Sequence, residues 1–338
     1  MKIAIVGLGY WGPNLIRNFL SVEHIDTVIG CDKDRTRLDK IKRRFPEIET
    51  TDSYDDILRR DDVEMVAIAT PVSSHYPLAK KALDAGKHCF IEKPMTGTVE
   101  EAEDLIECAE RRGLKLMVDH TFIYTGAVRK MKELITAGTL GDLYYFDSVR
   151  VNLGLFQHDV NVVWDLAPHD LSIMDYLIDK RPVSVSAVGS CHVGNGLENI
   201  AYLTVNFDND IIAHFHVNWL APVKIRKTLI GGTKSMIVYD DMEMSEKVKV
   251  YDKGIEVKTQ EGIYETLVQY RTGDMSAPKL DQTEALTLEA QHFVDCVLNG
   301  KTPITDGISG LNVVRILEAS EKSIKQQGKI ISLSPIHA

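Results

Sequence analysis

The chain has few cysteines and none close together. Cys31, Cys89, Cys108, Cys191 and Cys296 are odd in number and widely spaced. With no CxxC pair and no Cys/His cluster, neither a disulfide framework nor a zinc site is expected, and no metal is assigned. Basic charge is also short. The 39 lysines and arginines are outnumbered by 49 aspartates and glutamates, a net charge of −10, which argues against nucleic acid or an anionic membrane as a partner. Long apolar runs are missing, and none approaches the roughly 20 residues of a membrane helix. The opening MKIAIVGLGYWG lacks the basic start and apolar core of a leader, so a cytoplasmic protein is expected. No internal repeat is found, and 44% hydrophobic with 26% charged residues excludes a disordered or low-complexity chain.

What is present is enough chain for two domains, 338 residues. In the first part, short apolar runs (KIAIV, DTVIGCD, VEMVAIAT, KHCFIE, LKLMVD) alternate with helical stretches such as RTRLDKIKRRF, SYDDILRR, HYPLAKKALDAG and TVEEAEDLIECAERRG. Strands that read as continuous apolar runs between helices predict an α/β fold, a doubly wound parallel sheet covered on both faces. After His120 the pattern changes. A helix at GAVRKMKELITAG precedes longer alternating strands, DLYYFDSVRVNL, VSVSAVGSCHV, IAYLTVNF, IIAHFHVNWL and VKIRKTLIGG. They predict a second α/β domain with an open, largely antiparallel sheet. Helices are expected at WDLAPHDLSIMDYLI, 283–299 and 307–327. The expected domains are therefore 1–120 and 121–338.

The first turn, GLGYWG, sets Gly7, Gly9 and Gly12 in GxGxxG spacing between a strand and a helix. The first glycine permits the tight turn, the second lets a pyrophosphate approach the backbone, and the third lets helix and strand pack closely. Amides at the helix N-terminus would meet the phosphate charge. Leu8, Tyr10 and Trp11 belong to the same turn, the two aromatics as covers for the pyrophosphate. Asp32 ends the second strand, where a carboxylate accepts from both ribose hydroxyls and repels a 2′-phosphate. NAD is thus expected over NADP, although Lys33 and Arg35 beside it are the kind of residue that accommodates such a phosphate.

Four motifs in order, GLGYWG, TPVSSH at 70–75, EKP at 92–94 and WDLAPHD at 164–170, resemble the Gfo/Idh/MocA oxidoreductases over essentially the whole length. The resemblance implies a Rossmann domain followed by an α/β domain whose open sheet packs subunits into tetramers or, failing that, dimers. It implies that Lys93, set where a buried strand surfaces and Pro94 fixes the next turn, contacts the reacting hydroxyl. Glu92 would lie near the nicotinamide ribose. Asp165 and His169, four residues apart and so on one helix face, would complete the catalytic set, with His169 the proton acceptor. In the family a glycine-rich run often precedes this aspartate; here VNVVW does, so Val162, Val163 and Trp164 reshape the pocket.

Further residues carry weaker expectations. Thr70, Pro71 and His75 are expected at the cofactor crevice, and His120 at the edge of the nicotinamide pocket. Arg150, Asn152, Gln157 and His158 are candidates to line the substrate site, Asp170 to cap or solvate the helix, and Lys224 and Arg226 to be solvated. The branch resembled most is the sugar-nucleotide 3-dehydrogenases, which oxidise C3 of a UDP-linked N-acetylhexosamine or its uronate. An inositol or another free sugar is the alternative substrate. A non-catalytic dinucleotide-responsive regulator is the non-enzymatic alternative, and it would have no use for Lys93, Asp165 and His169 together.

Overall fold

The structure, a computed structural model, describes residues 1–154, 160–194, 196–252, 254–257, 268–271 and 273–334. Gln157 and His158 lie outside the described residues. The chain forms two compact units, Met1–Thr125 with Thr283–Arg315, and Gly126–Gln282 with Ile316–Ala338. Where the sequence suggested one cut at 120, the chain returns to its first unit at 283–315. A return of this kind leaves no mark on local periodicity.

The first unit begins with β1 (Lys2–Val6), α1 (Gly12–Leu20), β2 (Thr27–Cys31), α2 (Arg35–Arg44), β3 (Glu49–Thr51) and α3 (Tyr54–Arg59). It continues with β4 (Met65–Ile68), α4 (His75–Asp84), β5 (His88–Glu92), α5 (Val99–Arg112) and β6 (Leu116–Asp119). Ser53 and Thr98 cap α3 and α5 by accepting from amides of the first turn, and Gly113 ends α5 in the left-handed conformation. The strands pair in parallel in the order β3-β2-β1-β4-β5-β6. The order reverses between β1 and β4, and the crevice beyond the carboxyl ends of those two strands is where open α/β sheets hold ligands.

The second unit opens with α6 (Gly126–Thr136), β7 (Leu143–Leu153), α7 (Val162–Leu177), β8 (Pro182–Ser190), β9 (Ile200–Phe207), β10 (Ile212–Asn218) and β11 (Leu220–Gly232). Next come β12 (Met236–Asp240), β13 (Val248–Tyr251), β14 (Gly254–Val257), β15 (Val268–Arg271) and β16 (Met275–Ser276). After α8 (Ala285–Asn299), which belongs to the first unit, α9 (Gly307–Lys325) and β17 (Ile331–Ser332) complete the chain. A nine-stranded sheet runs β16-β13-β12-β11-β7-β10-β9-β8-β17. Only β7 and β10 pair in parallel within it, so the sheet is mixed and mostly antiparallel. One face, with Phe146, Phe215 and Leu203, is buried, and α7 lies against β7, β9 and β10. The other face carries exposed Tyr202, Ile212 and Val188.

Candidate active site

The glycine turn is shaped by what a side chain would strike. A Cβ on Gly7 would come within 2.7 Å of the Ala69 carbonyl oxygen, and one on Gly12 within 2.3 Å of the Gly7 carbonyl oxygen. Gly7 also sits at φ 93°, a region glycine enters without strain. At Gly9 a Cβ would meet only the end of the Arg37 side chain, at 3.8 Å, so the backbone there lies bare at the cleft, as close approach by a ligand requires. The cleft it faces holds about 540 Å³ and is lined by Gly7, Gly9, Asp32, Lys33, Thr70 and Pro71 among others. Tyr10 and Trp11 stand at its rim with their rings edge to face at 5.3 Å, Tyr10 being 81% exposed. Leu8, by contrast, is buried.

Asp32 builds the cleft as well as lining it. Its carboxylate accepts from the Leu8 amide at 2.7 Å and the Asp34 amide at 2.9 Å, tying the glycine turn to the end of β2. Arg37 reaches the same carboxylate at 3.3 Å. Lys33 is exposed at the edge, while Arg35 pairs with Asp52 at 2.9 Å. Arg37 is the residue the sequence reading missed. It lies one turn into α2, and only the helix register brings it to the cleft.

At the end of β4, Ser74 donates to Thr70 Oγ1 and to the Pro71 carbonyl, each at 2.7 Å, which closes the TPVSS turn. His75 was expected to contact cofactor. Instead it is 1% exposed, with Nδ1 2.9 Å from the Pro94 carbonyl and Nε2 2.8 Å from the Thr70 carbonyl. Burial lowers its pKa while those carbonyls oppose the shift. His75 is therefore a strut between the Thr70 turn and the EKP turn, a support for the cleft wall rather than part of its lining.

The EKP segment closes β5. Lys93 is half-buried, its amide donates to the Glu92 carboxylate at 3.1 Å, and the Lys93–Pro94 peptide bond is cis. Glu92 lies 7% exposed beside Asp119, its register partner on β6. Burial first, and the Asp119 carboxylate second, raise its pKa well above the usual range. His120 is 1% exposed, and no group lies at hydrogen-bond distance from either ring nitrogen. Burial, helped by the charge of Lys93, pushes its pKa down to about 3. This histidine is neutral.

In the second unit, Asn161 caps α7 by accepting from the amides of Val163 and Trp164 at 3.1 and 3.2 Å. Val162, Val163 and Trp164 are all buried. Asp165 accepts from the indole nitrogen of Trp219 at 3.1 Å, a partner from β11's approach that no local pattern signals. Asp165 and His169 are both half-buried and one helical turn apart. Asn152 is half-buried near the end of β7.

Arg150 and Asp170 differ from expectation. Arg150 Nε and Nη2 each donate to Asp170 at 2.8 Å, and the residues are 3% and 4% exposed. This bidentate pair is consumed in fastening α7 to β7, so Arg150 is no open substrate donor and Asp170 neither caps nor solvates the helix. Lys224 is exposed. Arg226, expected to be solvated, pairs with Asp241 at 3.2 Å. Among the described residues no group of three or more His, Cys, Asp or Glu has metal-holding geometry, and no helix is long and apolar enough to cross a membrane.

Known proteins resemble this chain in sequence and fold. The chain is 30% identical over 225 residues to a 1-carboxy-3-chloro-3,4-dihydroxycyclohexa-1,5-diene dehydrogenase of Comamonas testosteroni, a match covering 63% of this chain and 57% of that one, so it spans little more than half of that relative. It is 26% identical to the UDP-N-acetylglucosamine 3-dehydrogenase of Acidithiobacillus ferrooxidans, covering 93% of this chain and 94% of the relative. It is also 26% identical to the scyllo-inositol 2-dehydrogenase (NAD(+)) of Bacillus subtilis, covering 91% and 89%. The solved structure of the Acidithiobacillus enzyme superposes with a TM-score of 0.81 at 23% identity over 96% of this chain and 98% of that one, a likeness of fold. A family model described as an oxidoreductase family with NAD-binding Rossmann fold matches residues 1–120, and one described as the GFO/IDH/MocA C-terminal domain matches 128–238. The chain belongs to the Gfo/Idh/MocA family of oxidoreductases.

Proposed function

We propose that the protein is an NAD(H)-dependent dehydrogenase of a sugar ring carbinol, acting at C3 of a UDP-linked N-acetylhexosamine or its uronate. The observation that carries the reading is the cleft at the sheet's switch point. It combines the open approach at Gly9 with an acidic acceptor, Asp32, at the end of β2. Those residues suit a dinucleotide whose ribose hydroxyls donate to Asp32 and whose phosphates meet the turn preceding α1. Bound NAD would supply the hydride acceptor.

The chain's own residues would supply the rest. Lys93 directs an ammonium at the carbinol oxygen, lowering the hydroxyl's pKa and stabilising the charge that develops there. His169 accepts the hydroxyl proton at a ring nitrogen. Asp165, held by the Trp219 indole, orients the substrate or the histidine. The UDP-N-acetylglucosamine 3-dehydrogenase relative, matched over nearly its whole length, favours a nucleotide sugar. With Arg150 occupied by Asp170, the diphosphate would have to find donors elsewhere, Asn152 and backbone amides among them.

The test offers the protein NAD with UDP-N-acetylglucosamine, its uronate, or scyllo- and myo-inositol. A coupled dehydrogenase and a 2-oxo acid recycle NADH. Mass spectrometry should show the nucleotide sugar losing two hydrogens, located at C3 by aminotransferase trapping. Oxidation of an inositol with none of any nucleotide sugar would move the assignment to the free-polyol branch of the family.

A further inference from the structure

Three carboxylates meet in the interior of the first unit. Glu92 and Asp119 are register partners on the adjacent parallel strands β5 and β6, so their side chains leave the sheet on the same side. Glu289 comes from α8. That helix is fixed by Phe293, one turn further on, whose ring packs against Phe90 of β5 at 5.6 Å and Phe19 of α1 at 6.5 Å. Glu92, Asp119 and Glu289 are 7%, 3% and 0% exposed.

The groups facing this cluster are few. Thr121 spends its hydroxyl on Asp119. The Lys93 amide donates to Glu92, and the charge of the Lys93 ammonium lowers the pKa of Glu92 against its rise. His120 is neutral. Among the described residues neither oxygen of Glu289 and neither ring nitrogen of His120 has a partner at hydrogen-bond geometry, and the nearby Thr121 hydroxyl offsets the rise in the Glu289 pKa only in part. Asp119 stands beside both glutamates: it is the register partner of Glu92, and α8, which carries Glu289, packs on the turn at 121–124 that follows it. A carboxylate beside a carboxylate is a partner only if one of them carries a proton. A metal is no alternative, since these groups lack the geometry to hold one.

We propose that Glu289 is a protonated carboxyl in the resting protein, that it donates its proton in a hydrogen bond to Asp119, and that it thereby positions Glu92 and Lys93. Fully ionised, the cluster would bury three carboxylates side by side, which costs far more than retaining a proton. Burial, with the charges of Asp119 and Glu92 behind it, raises the pKa of Glu289 well above the usual range. The proton bond fixes Asp119 against Glu92, and Glu92 in turn fixes the backbone that carries Lys93. This last link rests on the proposed role of Lys93; the protonated state of Glu289 does not.

The sign of the pH effect follows. A carboxyl whose folded pKa is raised binds its proton in the folded state but not in the unfolded one, from about pH 4.3 up to the folded pKa. Its stabilisation is lost as pH rises through that window, by about tenfold in the folding equilibrium per pH unit for one proton. Glu289→Gln keeps the shape and offers Asp119 an amide N–H, with no proton to lose. Glu289→Leu offers nothing.

The experiment measures the melting temperature of wild type and E289Q by calorimetry from pH 5 to 9, with infrared absorption at pH 7. Wild type should lose stability relative to E289Q as pH rises, and its protonated-carboxyl C=O band should be weaker in E289Q. A melting difference independent of pH together with an unchanged band would overturn the proposal. If both signals appear and Lys93→Met retains full turnover, the proton site stands and the catalytic reading falls. If Lys93 is catalytic, E289L should lower turnover and E289Q restore most of it. Equal loss in both variants would remove the positioning role.

Discussion

Lys93 follows a buried strand and is itself half-buried, its amide bonded to the Glu92 carboxylate. Replacement by Met is expected to leave NAD affinity nearly unchanged and to cut turnover by roughly 10²-fold or more, measured by titration and steady-state kinetics on the same preparations. At Asp32, the carboxylate facing the cleft should make NAD(H) bind at least about tenfold better than NADP(H), some 1.4 kcal/mol. Equal dissociation constants would mean that Lys33 and Arg37 have outweighed it. The glycine spacing, Asp32 and the EKP turn were legible because each motif is contiguous and its chemistry follows from residue type. The buried partners of His75 and Arg150 were not legible for a common reason. A polar side chain looks the same in sequence whether it faces a ligand or another buried group, and the Pro94 carbonyl and the Asp170 carboxylate lie 19 and 20 residues from His75 and Arg150.

At the scale of elements, α7 is held by its charge pair. The bond between Arg150 on β7 and Asp170 on α7 is bidentate and almost wholly buried. Removing one partner strands the other, so Arg150→Met is expected to cost about 3–5 kcal/mol. The double replacement Arg150→Met with Asp170→Leu should recover much of the loss, because a well-packed apolar pair avoids the desolvation that the ions must offset. Thermal unfolding of the three variants checks this, and a double variant less stable than either single one would show that the pair contributes net stability. Periodicity made both long helices and the alternating strands readable, down to α8 and α9. It could not assign α8 to the first unit. The cause lies in Phe293, whose partners Phe19 and Phe90 come from the far end of the chain.

For the whole molecule, the second unit's sheet presents Tyr202, Ile212 and Val188 to solvent on one face, between 40% and 50% exposed. Tyr202 also stacks on His216 at 4.4 Å. An open face of that kind suits a docking surface, and we propose a homo-oligomer, a tetramer or else a dimer. Sedimentation velocity at micromolar concentration should show no monomer, and substituting Tyr202 and Ile212 together with Glu should release one. The strand alternation that predicted the face gives no stoichiometry, because the number of copies depends on a second contact that no single-chain pattern encodes.

The most direct test of the account joins cofactor and lysine in one measurement, the growth of nicotinamide absorbance when wild type and Lys93→Met are given NAD and UDP-N-acetylglucosamine or its uronate. The account predicts NADH formation by wild type and, at matched cofactor saturation, a rate lower by about 10²-fold or more in the variant. NADH formed equally fast by both proteins would contradict it.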